Sequence, residues 1–441
     1  MSRPNVVMVM PDQLRADAVG CFGYARTPHL DALAGQGVRF AQAFSQHSVC
    51  SPSRVSMFTG WYPHVRGHRT LTHLLQPDEP NLLKMFRDAG YHVAWAGRRG
   101  DTFTKEVQTL STDRYGFTER PAVFHHFAPE DQNSAWARAH YHGRRISDGV
   151  VLDFDEAATR TAETWLAEGL PEPFVLFVAL IFPHVPFEVE EPWYSLHNRA
   201  AMPPPAKTDL SRKPAFMRRM GELSGLERLS EEDWRELKAV YAGMISRVDD
   251  QLGRVLAAVD RAGVSDRTLK MFFTDHGEYL GDFGLVEKWP SGLDDCLLHN
   301  PLVVSGPGVA RGVCTEALVE MVDLVPTLAE ICGLPLEHTQ FGRSLCGQLS
   351  GAGGPHKDAV FAEGGFTADE EPLLERAGFP YDLKAGLQHE APVYAGKAMS
   401  VRTADWTYIH RLYEAPELYD RRNDPAETIN RAGDPALAGI E

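Results

Sequence analysis

SVCSPSRVSMFTG, residues 48–60, sets a short polar run, Cys50-Ser51-Pro52-Ser53-Arg54, directly before a helical pattern. Proline fits the first turn of a helix, where its missing N–H costs nothing, and Ser51 or Ser53 can cap the exposed amides. Cys50 is therefore expected at a helix N-terminus. The dipole and free N–H groups there favour an anion, and Arg54 adds a fixed positive charge within a turn. The arrangement suits a tetrahedral oxyanion. Taken alone, a cysteine reads far more readily as a buried small hydrophobe or a plain reactive thiol.

Working outward, three apolar runs read as strands buried on both faces of a parallel sheet. NVVMVM (5–10) ends at Pro11-Asp12, PFVLFVALIF (173–182) ends at Pro183-His184, and TLKMFFTDHGE (268–278) carries Asp275 and His276 at its end. Ligands in open α/β sheets gather outside the carboxyl ends of such strands, which places Asp12, Gln13, His184, Asp275 and His276 at one rim. Carboxylate and amide oxygens suit Ca²⁺ or Mg²⁺, and a histidine among them also tolerates Mn²⁺. A histidine at a strand end is well placed as a general acid.

The pentapeptide C-S-P-S-R resembles the C-x-P-S-R motif of the type I sulfatases, with Thr59-Gly60 matching the end of the longer family pattern. In that family the cysteine is oxidised by a formylglycine-generating enzyme. One hydroxyl of the hydrated aldehyde attacks the ester, and the other later expels the inorganic anion. The resemblance extends to the opening strand with its metal-binding pair, here Asp12-Gln13, to D-H-G-E at 275–278, to P-H-x-P-F at 183–187, to Lys288 in VEKW, and to D-L-x-P-T-L at 323–328. It implies that Asp12, Gln13, Asp275, His276 and the modified Cys50 hold one divalent cation, Ca²⁺ foremost with Mn²⁺ or Mg²⁺ as alternatives. It further implies that Arg54 and Lys288 bind oxyanion charge and that His184 protonates the leaving group. Where sulfatases usually read G-K-W-H, this chain has Gly97-Arg98-Arg99-Gly100-Asp101-Thr102. Arg98 falls at the lysine position and is expected, with Thr102 and His68, on the substrate side. Gln13 in place of a second aspartate, together with His276 and the missing G-K-W-H, resembles the phosphonate monoester hydrolases and phosphodiesterases.

With 441 residues the chain can bury a large core, and its net charge of −16 argues against nucleic acid or an anionic membrane as partner. Val6–Met10 is too short for a signal or membrane segment, so a cytoplasmic protein is expected, and the six scattered cysteines read as thiols. Residues 102–150, rich in aromatics and histidines (125–126, 140–145), read as an excursion that shapes a pocket. Residues 190–230, rich in proline, read as a loop or lid. LSEEDWRELKAV… (229–263) reads as a long helix opened by a Ser230–Asp233 capping box, with Asp249 and Asp250 structural or solvated.

The sequence thus points to an alkaline-phosphatase-like α/β sandwich, a large mostly parallel sheet between helices. Residues 1–345 form a catalytic domain and 346–441 a smaller C-terminal α+β subdomain with an antiparallel sheet. The expected reaction is hydrolysis of a small-molecule sulfate ester. A phosphonate monoester or phosphate diester at the same site is the alternative, and a catalytically silent binding protein is a rival of another class. Association into a homo-oligomer stays open.

Overall fold

The computed structural model describes residues 3–97, 101–122, 129, 131–145 and 151–441. Its centre is the strand Asn5–Asp12, buried at every position. It pairs in parallel with Phe174–Pro183 on one side and Thr268–Phe273 on the other, Val6 lying opposite both Val175 and Leu269. Three adjacent parallel strands end at the same edge, so backbone pairing alone brings Asp12, His184 and Asp275 to one rim. The nine-stranded sheet runs Val313–Thr315, Gly37–Phe44, His299–Ser305, Thr268–Phe273, Asn5–Asp12, Phe174–Pro183, His92–Ala96, Arg114–Gly116, with Val319–Glu320 also on Gly37–Phe44. All pairings are parallel except the two made by His299–Ser305.

Both faces are covered, as continuous apolar strands require. Val7, Val9, Leu176 and Val178 pack under the helices Phe154–Glu168 and Glu231–Arg261. Val6, Met8, Met10 and Phe177 pack under Cys50–Thr59 and Leu324–Cys332. The helix Cys50–Thr59 is buried throughout and stops at Gly60, whose φ of 73° suits glycine. A Cβ there would also lie 2.8 Å from that of Gln340.

The long helix carries the expected capping box, with Ser230 and Asp233 bonding reciprocally. Asp249 on the same helix serves another element. Its carboxylate accepts from the backbone N–H groups of His29 (3.1 Å) and Leu30 (2.8 Å), at the start of the helix Pro28–Gly35, which has no side-chain cap of its own. Asp249→Ala is expected to cost about 1–2 kcal/mol, because the buried N–H of Leu30 and the partly buried N–H of His29 lose their acceptor. Urea unfolding checks this, and an unchanged midpoint would contradict it.

Four antiparallel strands, Val360–Gly364, Ala398–Arg402, Trp406–Arg411 and Glu417–Asp420, form the C-terminal sheet. Val360, Ala398, Ile409 and Tyr419 share one apolar cluster with Phe44 of the larger sheet and with Leu293 and Leu298, which lie just before its strand His299–Ser305. Two local expectations change. Residues 190–230 are not all loop: Ala215–Ser224 is a helix, starting directly after Pro214, with Phe216 and Met217 buried. Neither Ser51 nor Ser53 caps the helix at Cys50, since Val49 occupies the cap position and no side chain bonds there. The six cysteines form no disulfide, and no helix among the described residues is long and apolar enough to cross a membrane.

Candidate active site

Four side chains meet at the rim. One ligand atom from each of Asp12, Cys50, Asp275 and His276 lies within 4.8 Å of the others, and all four residues are buried. Cys50 arrives from the first position of its helix, Asp12 from the end of the central strand, and Asp275 and His276 from the segment after Phe273. His276 Nε2 is 3.1 Å from Cys50 Sγ and 3.7 Å from Asp12 Oδ1. Its Nδ1–H donates to the Gly277 carbonyl (2.8 Å), which leaves the Nε2 lone pair facing the cluster. Burial pulls the His276 pKa down, favouring the neutral ring that a cation needs. Two buried carboxylates, a neutral imidazole and Cys50 make a fitting donor set for one divalent cation.

Arg54 braces this set. Its Nε donates to Asp275 Oδ2 (2.7 Å), Nη1 to Asp101 Oδ1 (2.7 Å), and Nη2 to Asp12 Oδ2. The guanidinium therefore joins the carboxylates of Asp12 and Asp275 across sheet and helix. Ser53 Oγ adds a bond to the Asp275 carbonyl (2.6 Å), which explains why it does not cap.

Gln13 takes a left-handed backbone, φ 62°, fixed by its own N–H to Asp275 Oδ1 (3.1 Å) and by Tyr241, whose hydroxyl donates to the Gln13 carbonyl (2.7 Å). Its side-chain amide donates to Glu278, and its Oε1 accepts from Lys288 Nζ. Lys288 Nζ also lies 2.9 Å from His184 Nε2 and 3.2 Å from Glu287 Oε2. Burial alone would lower the Lys288 pKa, but the negative charge of Cys50 and Glu287 outweighs it and holds the ammonium charged. Burial, then the Glu287 charge, pushes the Glu278 carboxyl up to about 7. Glu287 stays ionised against the same burial because Lys288 and Lys384 face it. His184 Nδ1–H donates to the Val185 carbonyl (2.8 Å), so Nε2 is the atom turned to Lys288.

The remaining expected residues fall elsewhere or partly so. His68 has both ring nitrogens engaged away from the cluster, Nδ1 with the His73 carbonyl (2.8 Å) and Nε2 with Glu79 (3.0 Å). Thr102 is buried with its carbonyl accepting from the Leu75 N–H, and it is the preceding Asp101 that reaches Arg54. Arg98, like the histidine pair at 125–126, lies outside the described residues. Sequence reasoning passed over Asp101, Glu287 and Lys384, which bonds Glu287 (3.1 Å) from the C-terminal region. Only Glu278 carried a signal, as the last residue of D-H-G-E.

This geometry, on this sheet, is that of an alkaline-phosphatase-like hydrolase. The sulfatase family model matches residues 4–334, and the chain belongs to the sulfatase family. A relative from Trinickia caryophylli, the multifunctional alkaline phosphatase superfamily protein PehA, is 27% identical, covering 100% of this chain and 93% of that one. The choline-sulfatase of Rhizobium meliloti is 24% identical over 98% of this chain and 83% of its own. Among solved structures, the phosphonate monoester hydrolase SpPMH from Silicibacter pomeroyi superposes with a TM-score of 0.77 at 25% identity, covering 99% of this chain and 93% of that one.

Proposed function

We propose that the protein hydrolyses sulfate esters of small molecules through a covalent intermediate on residue 50, after a formylglycine-generating enzyme has converted Cys50. The observation that carries this reading is the convergence of Asp12, Cys50, Asp275 and His276 within 4.8 Å, with the Lys288–His184 pair beside them. Asp12, Asp275, His276 and the modified residue 50 would hold one divalent cation, Ca²⁺ first among the candidates, and Gln13 would join them by turning its Oε1 from Lys288. Such a cation would polarise the attacking oxygen and neutralise a non-bridging oxygen of the transferred group.

The chain's own side chains do the rest. Lys288 places a largely buried ammonium where oxyanion charge develops. Arg54 acts through Asp12 and Asp275, fixing the distance between them. Lys288 Nζ donates to His184 Nε2, so a proton for the departing alkoxide is held between two atoms 2.9 Å apart. His184→Ala should therefore lower kcat by about 10²–10⁴-fold on an alkyl ester. The loss should be far smaller on a nitrophenyl ester, whose leaving group needs little protonation. Equal losses on both esters would remove His184 from the proton transfer.

One observation favours phosphorus at the same site. Gln13 stands where a second carboxylate would add negative charge, and its Oε1 faces Lys288. The Asp12-Gln13 pair is the arrangement by which this chain resembles the phosphonate monoester hydrolases. The likeness to PehA and to SpPMH supports this second reading. Steady-state kinetics on matched aryl sulfate, phosphonate monoester and phosphate diester separate the two. A higher kcat/KM for the sulfate supports the first, and a clear preference for phosphorus replaces it with the second.

A further inference from the structure

The strand Phe174–Pro183 does not run straight to His184. Its pairing with the central strand passes from Met10–Ala179 to Asp12–Pro183, so residues 180–182 bulge opposite the single Pro11. Pairing with His92–Ala96 has already ended at Val178. Such a bulge frees backbone amides that need another acceptor. Asp155 is that acceptor, with Oδ1 bonded by the Ile181 N–H (2.6 Å) and Oδ2 by the Phe182 N–H (2.8 Å). It is buried in the first turn of the helix Phe154–Glu168. The Phe182 ring is held as well, between Arg145 and Arg247, whose guanidinium carbons lie 5.2 and 4.9 Å from its centroid. Both guanidiniums donate to Asp153, the N-cap of the same helix, at 2.7 and 2.9 Å. One helix start thus grips the bulge by backbone and by ring.

We propose that Asp155 is a positioning residue for His184: with the Phe182 ring gripped between two guanidiniums, its carboxylate fixes the bulge from which His184 reaches Lys288. The inference rests on the reading of His184 as the leaving-group acid and adds what holds that acid in place. His184 follows the bulge by two residues, and its N–H bonds back to the Ile181 carbonyl (2.9 Å), so the clamped backbone carries the imidazole. Its Nε2 must then meet Lys288 Nζ, from a different segment, at 2.9 Å. A misplacement of about 1 Å at such a contact can cost about 10²-fold in rate. Asp155 bonds the bulge and not the imidazole, so it acts through the position of His184. Asparagine at 155 keeps one acceptor and turns an amide N–H against the other donor, which loosens the bulge.

The test uses the full chain, matured in its own host, with Asp155→Asn, Phe182→Leu and His184→Ala. Phe182→Leu leaves Asp155 in place and serves if Asp155→Asn does not fold. Histidine-ring NMR is recorded on each, the His184 signals being those lost in His184→Ala. They are expected to shift in Asp155→Asn and in Phe182→Leu, while those of His276 stay. With an alkyl sulfate, either variant should lower kcat by about 10–10²-fold, and with nitrophenyl sulfate by less than about threefold. Neither should lower it further once His184 is alanine. His184 signals unmoved in every folded variant, or the same alkyl-ester loss with and without His184, would overturn the assignment. Signals that move, with losses equal on the two esters and absent without His184, uphold the positioning; it is then the reading of His184 as the acid that fails.

Discussion

Alanine at position 50 is expected to lower kcat for ester hydrolysis by at least about 10⁴-fold while leaving the fold intact. The residue sits at the first position of a fully buried helix, 3.1 Å from His276 Nε2, which on the proposed mechanism is where the attacking oxygen would be held. Neighbouring groups can bind and polarise an ester without it. They cannot supply the nucleophile, and activity removed with a nucleophile is not recovered by the residues that serve it. The thermal midpoint should stay close to that of the parent, because a small side chain replaces a small one in a packed site. Hydrolysis rates and a melting curve on the same preparation check both halves. Retained turnover would place the nucleophile elsewhere.

The second large effect belongs to Arg54. Its guanidinium joins Asp12 and Asp275, both fully buried, and also reaches Asp101. Arg54→Met keeps most of the volume and removes the one guanidinium that bridges the two buried carboxylates. Breaking a buried ion pair from one side costs about 3–5 kcal/mol. The metal-free variant should lose stability on that scale, read as a shift in the urea midpoint. A divalent cation bound by the same carboxylates supplies positive charge at that place, so added Ca²⁺ or Mn²⁺ should restore part of the loss by linkage. A variant as stable as the parent, or one indifferent to cations, would mean that Arg54 does not brace a metal site.

Much of this site could be read from the chain because its parts sit at strand ends. A strand buried on both faces must be apolar throughout, and the polar residue that ends the run marks where the sheet meets solvent or ligand. Asp12, His184 and Asp275 are such residues, and the parallel pairing of three neighbouring strands puts them together. Cys50 was legible for a related reason, a proline-bearing first turn that announces a helix start. What escaped was long-range and aperiodic. Lys384 reaches Glu287 from 97 positions away, and Asp101 reaches Arg54 from an irregular segment; no local pattern encodes either contact. His68 was drawn toward the site by closeness in sequence, whereas its ring is taken up by His73 and Glu79 within its own loop. The prolines at 203–205 and 214 concealed the helix Ala215–Ser224, because a proline before a helix reads locally like one in a loop.

The most direct measurement is the mass of the peptide containing residue 50, from protein purified out of its own host. Formylglycine hydrolysis requires the mass of the aldehyde or its hydrate at that position. An unmodified thiol in protein that turns over esters would contradict the mechanism, and the role given to residue 50 would pass to another group.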